Sequence, residues 1–194
     1  MEALIKGRKE QIKDIASNLF RLNGYTATTM RQLAGEVGIE PASIYNHISS
    51  KEELLRLICF DMADEFMKVI EKVENEALLP EQKLRYLIIE HIRVITGNIN
   101  ATAVFFHDWR YLSEPYYSEF RHLRNKYQAF FRDVIHEGAV KSVFRKTQEK
   151  FTALTFLSAL NWTYEWYKEG GGMSYTEIGN NLADILINGL KSEL

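Results

Sequence analysis

Apolar residues recur every three to four positions along almost the whole chain, and runs that alternate apolar with polar residues are hard to find. That period is the one an α-helix buries on a single face, so the chain is predicted to be all-α. Ile5, Ile12, Ile15, Ala16, Leu19 and Phe20 form the first stripe, which stops at Gly24. Thr29-Met30-Arg31-Gln32 reads as a capping box opening a short helix, with Gly38 at its end. A third short helix is predicted from Pro41 to Ile48. Ser50-Lys51-Glu52-Glu53 is a second capping box and opens a long stripe from Leu54 to Val73. Further helices are expected from Pro80 to about Ile95, from about Ala101 to Tyr111, from Pro115 to Gly138 and from Glu149 to Lys168. The last is expected after a Ser174 cap. About nine helices result, with Lys141 to Arg145 a connector and Gly170-Gly171-Gly172 the clearest break. Only 11 glycines and 3 prolines in 194 residues are available to interrupt them. No repeat of 20–50 residues is visible, so a solenoid is not expected.

Several function classes drop out on the same evidence. No apolar run approaches the roughly 18–20 residues of a membrane span. The first ten residues carry charges where a signal peptide needs apolar ones, so a soluble, cytoplasmic protein is expected. Cys59 is the lone cysteine, which removes disulfide frameworks and multi-thiolate zinc sites; among Leu55, Ile58 and Met62 it reads as a small core residue. The five histidines form no i, i+4 pair, and no metal or other cofactor is expected. His91 falls on an apolar face with Leu84, Leu87, Ile88 and Ile95, which suits a hydrogen-bonded core histidine. His107 and Asp108 are neighbours on a helix and point about 100° apart, a poor dyad. The triple glycine lacks the Lys-Ser/Thr of a phosphate loop. No catalytic residue is expected.

The second and third helices, with Gly38 in the turn between them, have helix-turn-helix proportions. In that motif the second helix lies in the major groove with its N-terminal residues toward base edges. Pro41 and Ala42 would suit a thymine methyl, Ser43 can donate or accept, and Tyr45, Asn46 and His47 follow with polar tips. Thr29 caps the second helix and is counted with Pro41, Ala42 and Asn46 among the candidate DNA-binding residues. Arg31 can read a guanine edge, and Lys51 is placed to meet a phosphate. Net charge is -2 overall. Residues 1–51 carry about +2 and the remainder about -4, so a modestly basic head is averaged away in the total.

Residues 8–57 resemble the DNA-binding domain of TetR-family transcriptional repressors. The resemblance rests on Thr28-Thr29-Met30-Arg31-Gln32-Leu33-Ala34, on Gly38-Ile39, and on Ser43-Ile44-Tyr45-Asn46-His47-Ile48-Ser49-Ser50-Lys51-Glu52-Glu53-Leu54-Leu55. It implies that Arg31, Ser43, Tyr45, His47 and Lys51 contact double-stranded operator DNA. The family often has a second aromatic where Asn46 stands. It also implies a homodimer, through the last two helices, and a small-molecule inducer. A DNA-binding domain of residues 1–50 and a ligand-binding and dimerisation domain of residues 51–194 follow.

In the larger part, aromatic residues are concentrated between Phe105 and Phe131 and again between Phe151 and Tyr167. Such a concentration suits a ligand pocket or a packed core equally. His107-Asp108-Trp109-Arg110-Tyr111-Leu112 and Asn161-Trp162-x-x-x-Trp166-Tyr167 are similar to segments of an acyl-CoA-responsive TetR branch. That likeness implies an apolar tunnel with arginines near its mouth, Arg110, Arg121 and Arg124 being available. Lys141-Ser142 stands where that branch often carries glycine. The candidate ligand residues are Phe105, Trp109, Arg110, Arg124, Tyr127, Phe131, Asn161, Trp162 and Trp166. The reading from another function class is a helical carrier or enzyme that keeps the head as a scaffold.

Overall fold

A computed structural model describes residues 7–191. Among these residues it contains nine α-helical stretches and no strand beyond one isolated Phe144–Lys191 bridge. The helices are α1 (Arg8–Asn23), α2 (Met30–Val37), α3 (Lys51–Glu74), α4 (Pro80–Gly97), α5 (Ile99–His107), α6 (Tyr116–Val140), α7 (Glu149–Asn161), α8 (Thr163–Trp166) and α9 (Tyr175–Asn188). Single 3-10 turns lie at Ser43–Asn46 and Asp108–Tyr111. Ile5, counted in the first stripe, lies outside the described residues.

Local chemistry accounts for most of these boundaries. The Thr29 hydroxyl accepts from the Gln32 amide at 3.2 Å, and the Gln32 side chain accepts from the Thr29 amide at 2.8 Å. Ser174 and Glu177 repeat the arrangement at the start of α9. Each such cap is worth about 1 kcal/mol. Gly38 ends α2 at φ 75, in the left-handed region where glycine carries no steric penalty.

Four expectations are corrected in detail. The Pro41-to-Ile48 helix is a turn followed by a single 3-10 turn, with i→i+3 bonds from Ser43 to the Glu40 carbonyl and from His47 to the Ile44 carbonyl. It has no side-chain cap and is too short for propagation to offset nucleation. The box at Ser50 is displaced by one residue. Ser50 Oγ accepts from the Glu53 amide at 3.0 Å, but Glu53 accepts from the Ser49 amide at 2.7 Å rather than from Ser50. The Glu149-to-Lys168 helix is divided at Trp162, without glycine or proline, where the Thr163 side chain becomes fully buried. The aromatic helix expected to reach Tyr111 is α-helical only to His107 and tightens to 3-10 beyond it.

The chain folds into two compact units. One comprises residues up to Met62 together with Ile99–Phe120; the other comprises Ala63–Asn98 and the residues from Arg121 onward. The first unit therefore extends past the residue 50/51 position, because the capping box there starts α3 without ending a core. Leu54, Leu55, Ile58 and Cys59 of α3 are all buried. With them lie Ile12, Ala16 and Phe20 of α1, Leu33 and Ala34 of α2, and Ile44 and Ile48 of the turn. Helix α1 packs on α2 and on α5. Cys59 is the small core residue expected, and burial pushes its thiol pKa up.

In the second unit α4 packs most extensively on α9 and also touches α7 and α8. Gly179 is what lets α9 approach: a Cβ there would sit 2.9 Å from Ile89 Cα. Phe144, after the α6 turn, lies over Gly138, where a Cβ would fall 2.0 Å from the ring.

Candidate nucleic-acid interface

The candidate DNA residues share one physical property: none is buried. Thr29, Arg31, Pro41, Ala42, Tyr45, Asn46 and His47 are exposed, and Ser43 and Lys51 are intermediate. Tyr45 leaves 56% of its surface to solvent. Between these residues Ile44 and Ile48 are fully buried and anchor the turn in the same core as Leu33 and Val37. The sequence thus alternates anchors with outward polar tips, which presents Ser43, Tyr45, Asn46 and His47 on a short, well-held support.

The first turn of α3 ties this support to three other segments of the unit. Lys51 donates to the carbonyls of Tyr25 at 2.8 Å, Thr26 at 3.2 Å and Thr28 at 2.8 Å, with its ammonium 4.5 Å from the Tyr25 ring centre. Burial lowers its pKa from the usual lysine value. Glu52 accepts from the Ser113 amide at 2.8 Å and from the Ser113 hydroxyl. Those bonds hold its carboxyl below the usual range. Glu53 accepts from Lys9 at 2.8 Å as well as from Ser49, and these partners, Lys9 first, bring its pKa down to about 2. No sequence pattern announced the Glu52–Ser113 link, since 61 residues separate the pair.

The candidate ligand residues divide between the units. Phe105, Trp109 and Arg110 belong to the first. There Phe105 and Trp109 are buried against Phe120, Trp109 stacks on Tyr117, and the exposed Arg110 lies 5.0 Å over the Trp109 ring. The other six belong to the second unit. Arg124 is exposed, Phe131 is fully buried, and Trp162 and Trp166 are 63% and 48% exposed.

Tyr127 and Asn161 meet on His91, which the sequence marked only as a core residue. His91 Nδ1 lies 3.1 Å from the Tyr127 hydroxyl and Nε2 lies 3.1 Å from Asn161 Oδ1. The Asn161 oxygen accepts, so Nε2 carries the proton and Nδ1 accepts from Tyr127. Burial depresses the His91 pKa to about 3, and the ring is neutral. Phe66 and Phe131 complete the aromatic surround. A neutral, oriented polar chain inside an aromatic core is what its residues build here. Among the described residues no three His, Cys, Asp or Glu side chains come together as a metal site would require. No helix among them is long and apolar enough to cross a membrane.

Residues 12–58 match the family described as bacterial regulatory proteins, tetR family, and residues 77–190 match the tetracyclin repressor-like C-terminal domain. The chain belongs to the TetR family of bacterial regulatory proteins. Among curated relatives, the HTH-type transcriptional repressor KstR2 of Mycolicibacterium smegmatis is 26% identical over 185 residues, covering 94% of this chain and 90% of the relative. The ketosteroid transcriptional regulator KstR2 of Mycobacterium tuberculosis superposes with a TM-score of 0.92 at 21% identity, over 97% of each chain. AibR, solved in complex with isovaleryl coenzyme A and operator DNA, superposes with a TM-score of 0.80 at 24% identity over 97% of this chain and 100% of its own. At those identities the two structures share the TetR fold with this chain. The family match covers both the helix-turn-helix segment and most of the helical remainder.

Proposed function

We propose that this TetR-family chain is a DNA-binding transcriptional repressor, not an enzyme, that acts in the cytoplasm as a homodimer and is released from a pseudo-palindromic operator by a small-molecule inducer. Residues 1–50 would read DNA, and residues 51–194 would bind inducer and partner. The observation that carries this reading is the exposed row Thr29, Arg31, Pro41, Ala42, Tyr45, Asn46 and His47, with the half-exposed Ser43 among them, held on buried Ile44 and Ile48. It would set Arg31 and the 3-10 turn toward base edges.

The second unit supplies the other half. The Tyr127–His91–Asn161 chain beside Phe131 is neutral, so the inducer it favours is apolar with a carbonyl or similar uncharged group. The acyl chain and thioester carbonyl of an acyl-CoA would fit that description, and its phosphates would suit an arginine fork such as that of the exposed Arg124. Phe151, Leu154 and Trp162 of α7 to α8, and Ile185 of α9, are exposed apolar side chains on packed neighbours, a surface suited to a four-helix dimer contact. Inducer would act by binding the DNA-incompetent state more tightly, so that operator DNA weakens inducer binding by the same factor.

The test is binding to a duplex from the chain's own upstream region, measured across salt concentrations. The expected result is tight, salt-sensitive binding at least about a thousandfold above a scrambled duplex. Equal affinity for both duplexes, or a flat salt dependence, would sink the proposal.

A further inference from the structure

Resting on the DNA-binding reading above, we infer that Lys51 is a positioning residue for α2, holding the segment that carries Thr29 and Arg31, and does not itself meet a DNA phosphate. An ammonium group has three N–H donors. Here three carbonyls converge on it, from Tyr25, Thr26 and Thr28, at 2.8, 3.2 and 2.8 Å. The donor inventory is complete, and the Tyr25 ring occupies a further side at 4.5 Å. A phosphate oxygen would have to displace one of these partners.

The carbonyls belong to the loop that leads into α2. Gly24 enters it at φ 84, the Thr28 hydroxyl donates back to the Gly24 carbonyl at 2.9 Å, and Thr29 is the N-cap of α2. Tyr25 is packed edge-on against Phe20 and stacked on Tyr111. Lys51 therefore draws three carbonyls of one short loop onto a single cation and fixes the loop that sets where α2 begins. Arg31 lies in the first turn of α2, two residues past that N-cap. Loss of the ammonium would leave three carbonyls without their donor and let the N-terminus of α2 shift, which degrades base reading more than backbone attraction.

The experiment uses the full chain, a duplex selected in vitro by the wild-type protein, and a scrambled duplex of the same composition. Lys51→Met removes the ammonium and keeps the stem. Lys51→Arg keeps a phosphate-binding charge but replaces the compact tripod of donors by a planar fork. Expected for both is a loss of tenfold or more on the selected duplex and less than a twofold change on the scrambled one. The slope of log affinity against log salt should stay unchanged. A phosphate contact would instead give wild-type binding for Lys51→Arg, and a Lys51→Met slope shallower by about 0.9 per protomer. Either result overturns the inference, as does wild-type behaviour of both variants.

Amide exchange in the free protein supplies a readout that needs no DNA. Exchange at Thr28, Thr29, Gln32 and Leu33, whose amides are bonded to Gly24, the Gln32 side chain, the Thr29 hydroxyl and the Thr29 carbonyl, should speed up at least tenfold in Lys51→Met and in Tyr25→Leu, and unchanged exchange there overturns the inference. Failure of the wild-type protein to select any duplex would count against the DNA-binding reading, while the exchange result still decides the role of Lys51.

Discussion

A proton on His91 would have to be accommodated in a buried surround of Tyr127, Asn161, Phe66 and Phe131, where burial disfavours its charge. The ring pKa falls from 6.5 to about 3 on folding, through burial. The unfolded chain thus binds more protons than the folded one throughout that interval, so stability rises with pH across it. The stabilising contribution is fully present above pH 6.5 and is lost as pH falls toward 3, at about 1.4 kcal/mol per pH unit. The carboxylates held below their usual range, Glu52, Glu53, Glu137 and Glu177, titrate in the unfolded chain near 4.5, below the upper part of the His91 window. Between pH 6.5 and 5 the imidazole accordingly dominates. Denaturant melts at these two pH values should show the wild type losing about 2 kcal/mol, and His91→Gln, whatever its absolute stability, should lose much less. Equal losses in the two proteins would exclude the buried neutral ring as the source.

At the scale of elements, the α4–α9 pair depends on one missing methyl group. Gly179 Cβ would lie 2.9 Å from Ile89 Cα and 3.1 Å from its Cγ1, and the nearest of these is backbone that cannot rotate aside. Gly179→Ala gains helix propensity, worth up to about 1 kcal/mol, but forces the helices apart in a packed interior, which costs about 1–3 kcal/mol. A net loss of stability, with a lower thermal midpoint and less protection at the centre of α4, is the expected outcome; a stabilised variant would mean the pair is looser than its geometry.

The same comparison shows what sequence could reveal. Thr29 with Gln32, Ser174 with Glu177, and Gly38 were readable because a cap is a local device with its partners three residues apart. Gly179 left no such mark, since an isolated glycine in a helical pattern has many causes. The 3-10 form of Ser43–Asn46 and the division at Trp162 coincide with the burial of Ile44 and Thr163, which depends on packing that no local pattern displays. The candidate DNA residues could be proposed together because they lie within about 23 positions and share a motif. Those proposed for the ligand were scattered, and only the structure shows that Phe105, Trp109 and Arg110 fall in a different unit from Tyr127, Phe131 and Asn161.

For the whole molecule, affinity for a two-half-site operator is set by avidity, and avidity by the dimer. Two heads on one dimer would meet half-sites one helical turn, about 34–36 Å, or a multiple of it apart, so that the second engagement would be intramolecular. Phe151 and Ile185 are each 71% exposed on α7 and α9, and neither fills the protomer's own core. A glutamate at both positions should cost the isolated protomer less than about 0.5 kcal/mol each, while placing like charges across a twofold contact, where each residue faces its own interface again. Sedimentation of Phe151→Glu/Ile185→Glu should therefore give a monomer with near wild-type helix content. Its affinity for a single half-site should stay within about twofold, while its affinity for the full operator falls by about a hundredfold or more. The two losses separate the roles of the parts: a variant that remains dimeric places the contact elsewhere, and a monomer that still binds the full operator tightly shows that the heads do not need to be paired to read it.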